Sequence, residues 1–159
     1  MIFLGIDPGF GRVGFGLVEL KNRQLSYLGS GIVNTDALQD FYARLSEIQA
    51  DILYLIDKYS PDVACVETLF FSKNTTTAMK VAEARGVINM TLFSKGIQIM
   101  EVGPTTVKSS LTGDGRADKK QVEFMVKKLL NLQNLKAIDD ACDALGMAIY
   151  AANNYSGIS

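Results

Sequence analysis

The sequence has no histidine, only two cysteines and no long apolar run. Without histidine, a Ser-His-Asp or Cys-His nucleophile, a histidine general base and the usual zinc sites are all excluded. Cys65 and Cys142 have neither metal-binding spacing nor a disulfide framework, so we expect core residues in a protein of the reducing cytoplasm. The apolar run at residues 2–6 is too short for a signal-peptide core or a membrane span. Acid–base or metal chemistry must therefore use carboxylates, lysines, tyrosines or thiols.

The composition is typical of one globular domain. Of the 159 residues, 48% are hydrophobic and 21% are charged, which is enough for a proper core and argues against bulk disorder. Repeats, low-complexity tracts and linkers are absent from the sequence. We therefore expect a single domain over residues 1–159, with residues 154–159 as a flexible tail.

The net charge of −1 hides an uneven distribution along the chain. Residues 1–69 carry a net charge of −4, residues 70–136 carry +6, and residues 137–159 carry −3. A basic middle between acidic ends indicates a polyanion-binding surface beside a metal-binding carboxylate cluster. The alternative is that the lysines of one helix only solvate its exposed face; these are Lys119, Lys120, Lys127 and Lys128.

Apolar periodicity predicts an α/β domain in which helices flank a mixed sheet. Five strands are expected, at residues 2–6, 12–20, 24–35, 62–68 and 97–102. Helices are expected at residues 40–59, about 74–93, from Pro104, 119–130 and about 139–153. Short connections make the first three strands antiparallel, and the alternating remainder gives a βαβαβ order.

Four carboxylates are expected to meet at one edge of this sheet. Asp7 and Glu67 end the first and fourth strands, which a strand–helix–strand crossover makes parallel, and ligands bind at that edge. Asp140 and Asp143 are three residues apart and share a helix face, whereas Asp139 suits the first turn of the helix. Carboxylates without histidine favour Mg²⁺ or Mn²⁺. A pair of such ions can drive phosphodiester hydrolysis.

Each acid also has a purely structural interpretation. Asp7 before Pro-Gly can start a turn, and Glu67 can be a solvated strand end. Asp140 and Asp143 can be helix-start acids. The segment IDPGFGRVGFG is also similar to the phosphate loops of sugar kinases and actin-like ATPases. Those proteins need a second such loop and about twice this length, so nucleotide hydrolysis ranks far lower.

Five motifs, in order, resemble those of the RuvC family of Holliday-junction resolvases over nearly the whole chain. They are GIDPG with its following R-x-G-x-G, VETLFFSKN, ARGV, VK-x-x-x-TGDGRADKKQV and DDACDAL. The resemblance implies an RNase H-like fold and a homodimer. It also implies a Mg²⁺-dependent endonuclease of recombination and repair that nicks two opposed strands of a four-way DNA junction. An association with a branch-migration complex (RuvA and RuvB) is implied by the family alone.

The resemblance assigns catalysis and metal binding, of two Mg²⁺ ions with Mn²⁺ as a substitute, to the four acids Asp7, Glu67, Asp140 and Asp143. Some relatives have histidine where this chain has Asp140. A non-catalytic junction-binding module, in which these acids only support the fold, is the main alternative.

The family's DNA contacts fall on one aromatic and two basic residues. The aromatic that inserts into the junction falls on Phe70, and the basic residues near the scissile strand fall on Lys108 and Lys119. Lys119 also has the charge to stabilise the transition state. Further phosphate contacts are predicted from charge alone at Lys73, Arg85, Arg116 and Lys120. Lys73 and Arg85 can instead be ordinary solvated residues, and Asp114 is an unexpected negative charge in the basic loop.

Overall fold

A five-stranded mixed sheet forms the centre of the molecule. The structure is a computed structural model that describes residues 1–69, 75–132 and 139–156. The strands are β1 (Ile2–Asp7), β2 (Arg12–Lys21), β3 (Gln24–Asn34), β4 (Val63–Glu67) and β5 (Gln98–Val102). Their order across the sheet is β3-β2-β1-β4-β5; β1, β2 and β3 are antiparallel, and β4 and β5 run parallel to β1. The predicted mixed sheet is confirmed.

Five helices accompany the sheet in the described ranges, and local signals set their ends. They are α1 (Phe41–Tyr59), α2 (Thr75–Ser94), α3 (Pro104–Thr112), α4 (Lys119–Leu129) and α5 (Asp139–Asn154). The Asp40 carboxylate caps α1, and Asp118 with Gln121 forms a capping box at the start of α4. Pro104 occupies the first turn of α3, where its missing N–H costs no helical hydrogen bond.

Successive side chains of the central strands point to opposite faces of the sheet, so one apolar core forms on each face. Leu4 and Ile6 of β1 pack with α1 and α2 on one face. Phe3 of β1 and Cys65 of β4 pack with α3, α4 and α5 on the other. Burial raises the pKa of the Cys65 thiol to about 12, and Cys142 is buried as well, so both cysteines are core residues.

Helix α5 lies directly on β1 and β2 because glycines face it. A Cβ atom at Gly5 would lie 1.8 Å from the carbonyl oxygen of Ala144, and one at Gly14 would lie 2.3 Å from that of Asp140. At Gly16 it would lie 2.6 Å from the amide nitrogen of Leu145. Any side chain at these positions would push the helix away from the sheet. The small residues that permit this contact are therefore on the strands as well as on α5.

The C-terminal segment expected to be a tail is described as far as Ser156. Asn154 ends α5, and the Tyr155 ring packs edge-on against Phe3, with ring centroids 6.0 Å apart. Tyr155 also donates a hydrogen bond through its hydroxyl to the Gln98 side chain. Residues 157–159 lie outside the described part of the chain. None of the helices in that part combines the length and apolar character of a membrane-spanning segment.

Candidate active site

Asp7 and Glu67 lie side by side at the C-terminal ends of two neighbouring strands. The parallel register pairs Ile6 of β1 with Val66 of β4, so the next residue of each strand is one of these acids. Both side chains are half-buried, and each carboxyl group shifts the pKa of the other. The two acids therefore lie next to each other, as the strand order predicts, and their chemical roles stay predictions.

Helix α5 brings two further carboxylates to this pair. The charges of Asp143 and Asp140 both act on Asp7. Burial, followed by the charges of Glu67, Asp143 and Asp140, raises the pKa of Asp7 from its ordinary 3.8 to about 8. The four predicted acids are thus gathered closely enough to oppose one another's ionisation. Asp139 is the first residue of α5, and its capping role stays a prediction.

Neighbouring groups shift the pKa of the Glu67 carboxyl in opposite directions. Burial raises the pKa of its carboxyl, whereas the hydrogen bond from Asp7 lowers it; the negative charge of Asp143 raises it again, and the ammonium of Lys108 lowers it. The net shift is upward. Glu67 therefore sits between the acidic cluster on one side and a positive charge on the other.

Lys108 faces the carboxylates across a small cleft. The cleft has a volume of about 150 Å³, and its wall includes Glu67, Lys108 and Asp143, with Val107 and Met147 as apolar surface. Lys108 lies on α3, on the β5 side of the site. A cleft whose lining combines carboxylates with a lysine can hold a phosphate close to carboxylate-bound metal.

Arg12 is a site residue that the sequence analysis did not assign. Its guanidinium forms an ion pair with the Asp140 carboxylate at 3.2 Å, with 53% and 32% of the two side chains exposed. Arg12 begins β2, immediately after the turn that follows Asp7. The R-x-G-x-G motif contained this residue, but a contact with α5 depends on the packing of that helix and has no signature in local sequence.

The predicted DNA contacts divide into two groups. Lys119, Lys120 and Arg116 are exposed at the start of α4 and in the loop before it. Phe70 and Lys73 lie outside the described residues. The DNA contacts of all five remain predictions.

Arg85 is engaged within the protein. Its Nε donates a hydrogen bond of 3.0 Å to the carbonyl oxygen of Glu67, and its guanidinium pairs with Glu101. Arg85 therefore ties α2 to the end of β4 and steadies the backbone at Glu67. A phosphate contact by Arg85 would have to form in addition to these bonds.

Asp114, the unexpected acid of the basic loop, has a local structural role. Its carboxylate accepts a hydrogen bond of 2.8 Å from the backbone N–H of Arg116. Thr112 closes the same turn through its hydroxyl, which contacts both the carbonyl and the amide of Asp114. Asp114 thus shapes the loop that presents Arg116.

The acid cluster suits a hard divalent cation by its chemistry. Its donors are carboxylate oxygens, which Mg²⁺ and Mn²⁺ prefer, and the raised pKa of Asp7 reflects unbalanced negative charge that a cation would relieve. Within residues 1–69, 75–132 and 139–156, no three acidic, cysteine or histidine side chains are already arranged around a common metal position. Binding would therefore require the carboxyls to turn, beginning with the neighbouring pair Asp7 and Glu67.

Comparisons with known proteins agree with one another. The family model described as crossover junction endodeoxyribonuclease RuvC matches residues 3–151. The crossover junction endodeoxyribonuclease RuvC of Thermosipho melanesiensis is 44% identical over 148 residues, which are 93% of this chain and 94% of that protein. The solved structure of Thermus thermophilus RuvC is similar with a TM-score of 0.87 and 30% identity, covering 96% of this chain and 93% of that one. The structure of that RuvC in complex with a Holliday junction substrate has a TM-score of 0.86 and 28% identity, with the same coverage.

The sheet order and the flanking helices are those of the RNase H-like fold. One family model matches nearly the whole chain, so the family within that class can be named. The chain belongs to the RuvC family of crossover junction endodeoxyribonucleases.

Proposed function

We propose that this protein resolves four-way (Holliday) DNA junctions during homologous recombination and repair. It does so by metal-dependent hydrolysis of a phosphodiester bond in each of two opposed strands. The observation that carries the proposal is the gathering of Asp7, Glu67, Asp140 and Asp143 opposite Lys108. Membership of the RuvC family supplies the substrate class.

In this mechanism the carboxylates hold the cations, and the basic residues hold the DNA. Asp7 and Glu67 stand on strand ends, and Asp140 and Asp143 stand on a helix packed tightly on the sheet, so the backbone holds all four firmly and only their carboxyl groups need to turn. Bound Mg²⁺, with Mn²⁺ as a substitute and two ions per site, would activate the attacking water and stabilise the leaving oxygen. Lys108 faces the same cleft, where it can pair with the scissile phosphate; Lys119 is proposed to stabilise developing charge.

Symmetric cutting requires two active sites in a fixed relation, so we propose a two-fold homodimer. Several apolar residues of α2 support such a dimer, because their side chains are exposed and do not pack in the core. Met90 and Phe93 are 63% and 71% exposed, and Tyr42 of the neighbouring α1 is exposed beside them. Tyr42, Val87 and Met90 line one groove between the two helices. A second copy of this chain is the proposed occupant of that face.

Family membership alone supports the remaining assignments. We propose that the protein acts in the cytoplasm together with a branch-migration complex of RuvA and RuvB. Phe70 is the proposed aromatic that enters the junction, where it would stack on an unpaired base for about 1–3 kcal/mol.

The decisive experiment incubates the purified protein with a labelled synthetic four-way junction, with and without Mg²⁺, beside a linear duplex. We expect paired nicks in the junction only, and only with the metal. Asp143→Asn should abolish cleavage while junction binding survives, whereas Asp57→Asn, an exposed acid of α1, should cut normally. Tight binding without any metal-stimulated nick by the wild type would favour the non-catalytic module. Undiminished cleavage by Asp143→Asn would refute the site.

A further inference from the structure

A second basic surface lies on the other side of the catalytic carboxylates from Lys108. Its centre is the aromatic ring of Phe10, in the turn between β1 and β2. The Arg44 guanidinium lies 4.0 Å from the centroid of this ring, and the Lys80 ammonium lies 5.6 Å from it. The Phe41 ring stacks on Phe10 at 5.0 Å. We call Phe10, Arg44 and Lys80 the Phe10 cluster.

The cluster is tied to the turn that carries Asp7. Arg44 donates through Nε to the Thr35 hydroxyl at 2.9 Å, and that hydroxyl donates to the carbonyl oxygen of Phe10 at 3.0 Å. The Thr35 amide also donates to the carbonyl oxygen of Gly11 at 3.1 Å. Helix α1, the residue after β3 and the β1–β2 turn are thus hydrogen-bonded together at Phe10, three residues from Asp7.

The two basic surfaces belong to different layers of the fold. Lys108 lies on α3, in the layer that packs on the face with Phe3, whereas Arg44 and Lys80 lie on α1 and α2 in the opposite layer. The carboxylates at the ends of β1 and β4 lie between these layers, at the edge of the sheet. A DNA strand that crosses this edge over the carboxylates would meet Lys108 on one side and the Phe10 cluster on the other.

The acids of this region include Asp40 and Glu47, which accept hydrogen bonds from backbone amides, and Glu83, which lies three residues after Lys80 on α2. The Asp40 carboxylate accepts hydrogen bonds from the amides of Tyr42 and Ala43, and that of Glu47 accepts one from the amide of Asp36. The ion pairs found in the described residues include neither Arg44 nor Lys80. The ring of Phe10 attracts both cations but does not neutralise them. The cluster therefore presents positive charge that is already held in place, which lowers the entropic cost of binding an anion.

We infer that the Phe10 cluster binds backbone phosphates of the junction strand beside the scissile bond, with exposed Lys80 as its main contact. The inference rests on the proposed function, since the polyanion is the junction DNA. Phosphate contacts position a strand without reading its sequence. Together with Lys108, the cluster would hold the strand at two points, one on each side of the metal-binding acids.

The test compares junction binding by the wild type, Lys80→Gln and Lys95→Gln, all in EDTA so that no strand is cut. Lys95→Gln is the matched control, since it removes one lysine charge at the other end of α2, where Lys95 pairs with Asp57 at 3.8 Å. Fifteen residues of helix separate the two lysines by about 22 Å, which exceeds the screening length of about 10 Å in 0.1 M salt. Affinity is measured at several salt concentrations, and the melting temperature of each variant is recorded.

We expect Lys80→Gln to bind about five- to tenfold more weakly at 0.1 M salt and to lower the slope of log affinity against log salt by about 1. Lys95→Gln should match the wild type in both measurements. Equal slopes for Lys80→Gln and the wild type would overturn the inference while leaving the proposed function intact. An equal loss in both variants would also overturn it, since net charge alone would explain the result. If the wild type itself failed to bind the junction, the proposed function would fall first and the inference with it.

Discussion

Asp7 and Glu67 lie side by side at the ends of β1 and β4, although both residues are acids. Two carboxyl groups this close oppose each other's ionisation, and a proton held between them relieves that repulsion. The raised pKa of Asp7, about 8, has the same origin: burial and three neighbouring negative charges disfavour its ionised form. Without a cation, the site relieves part of its repulsion by retaining a proton.

The raised pKa of Asp7 predicts how the stability of the metal-free protein depends on pH. The folded-state pKa of Asp7 lies above its ordinary value, so the folded protein binds the proton more tightly than the unfolded chain does. Stability is therefore lost as pH rises from about 4 through about 8. Asp7→Asn removes the buried charge, and in EDTA at pH 8.5 it should raise the melting temperature by roughly 3–6 °C. Near pH 4 the difference between the two proteins should become small.

Added Mg²⁺ should make the wild type melt at a higher temperature than Asp7→Asn, the reverse of the order in EDTA. The wild type gains stability because the cation binds only the folded state, whereas Asp7→Asn has lost one ligand and should gain less. Thermal unfolding in EDTA and in about 10 mM Mg²⁺ measures both effects. An Asp7→Asn protein that melts below the wild type in EDTA at pH 8.5 would contradict the argument.

The ion pair between Arg12 and Asp140 predicts an effect on metal affinity. The guanidinium competes with a cation for the Asp140 carboxylate and adds positive charge to the site. An ion pair this exposed contributes about 0–1 kcal/mol. Arg12→Gln should therefore bind Mg²⁺ about two- to fivefold more tightly, as measured by the Mg²⁺ dependence of the melting temperature.

The matched control for Arg12 is Arg23→Gln, which removes an arginine from the β2–β3 turn at the far end of the same strand. Its Mg²⁺ dependence should equal that of the wild type. If Arg12→Gln bound Mg²⁺ more weakly, the arginine would be supporting the ligand and not competing for it. Tighter binding is the result that a merely structural role for Arg12 does not produce.

The contact between Gly14 and the backbone of Asp140 predicts a site that is sensitive to one methyl group. In Gly14→Ala the new Cβ would lie 2.3 Å from the Asp140 carbonyl oxygen, so the start of α5 must move. That movement displaces both aspartates of the helix, and displacements near 1 Å can cost about a hundredfold in rate. We expect a loss of that order in single-turnover junction cleavage, with a lower melting temperature.

Gly11→Ala is the control for this effect, in the same glycine-rich segment. Its Cβ would meet only the Arg44 guanidinium, at 3.4 Å, which is ordinary van der Waals contact. Cleavage by Gly11→Ala should stay within a fewfold of the wild type. Comparable losses in the two variants would mean that the segment resists any added side chain, and the specific role of Gly14 would be refuted.

The parts of the site that follow from sequence are those that depend on chain periodicity. Asp7 and Glu67 follow apolar strands, and the crossover between those strands makes them parallel, so their meeting could be predicted. The spacing of Asp140 and Asp143 likewise requires a shared helix face. Each of these predictions uses local order and one rule of topology.

The contacts that sequence did not reveal depend on packing between distant elements. The pairing of Arg12 with Asp140 requires α5 to touch β2, and glycines on two strands decide how closely it does so. Charge makes Arg85 either a phosphate contact or an ordinary solvated residue, and the structure adds bonds to the backbone of Glu67 and to Glu101. Charge identifies an arginine as a possible phosphate ligand, but the partner is chosen by side-chain geometry that no periodic pattern records.

The exposed apolar residues of α2 predict that one charge can separate the proposed dimer. Phe93 is 71% exposed near the C-terminal end of α2, on the same helix as the exposed Met90. Burying a carboxylate in an apolar interface without a partner is strongly unfavourable. Phe93→Glu should therefore sediment as a monomer at micromolar concentration, where the wild type sediments as a dimer.

Phe124→Glu provides a matched control, because Phe124 is also an exposed phenylalanine, at 63%, but lies on α4. It should remain dimeric. The monomeric Phe93→Glu protein should lose paired incisions before it loses metal binding, since each chain keeps its own four acids while the fixed relation between two sites is gone. If Phe93→Glu remained a dimer with paired cutting, the interface would have to lie on another face, and the exposed apolar surface of α2 would need a different partner.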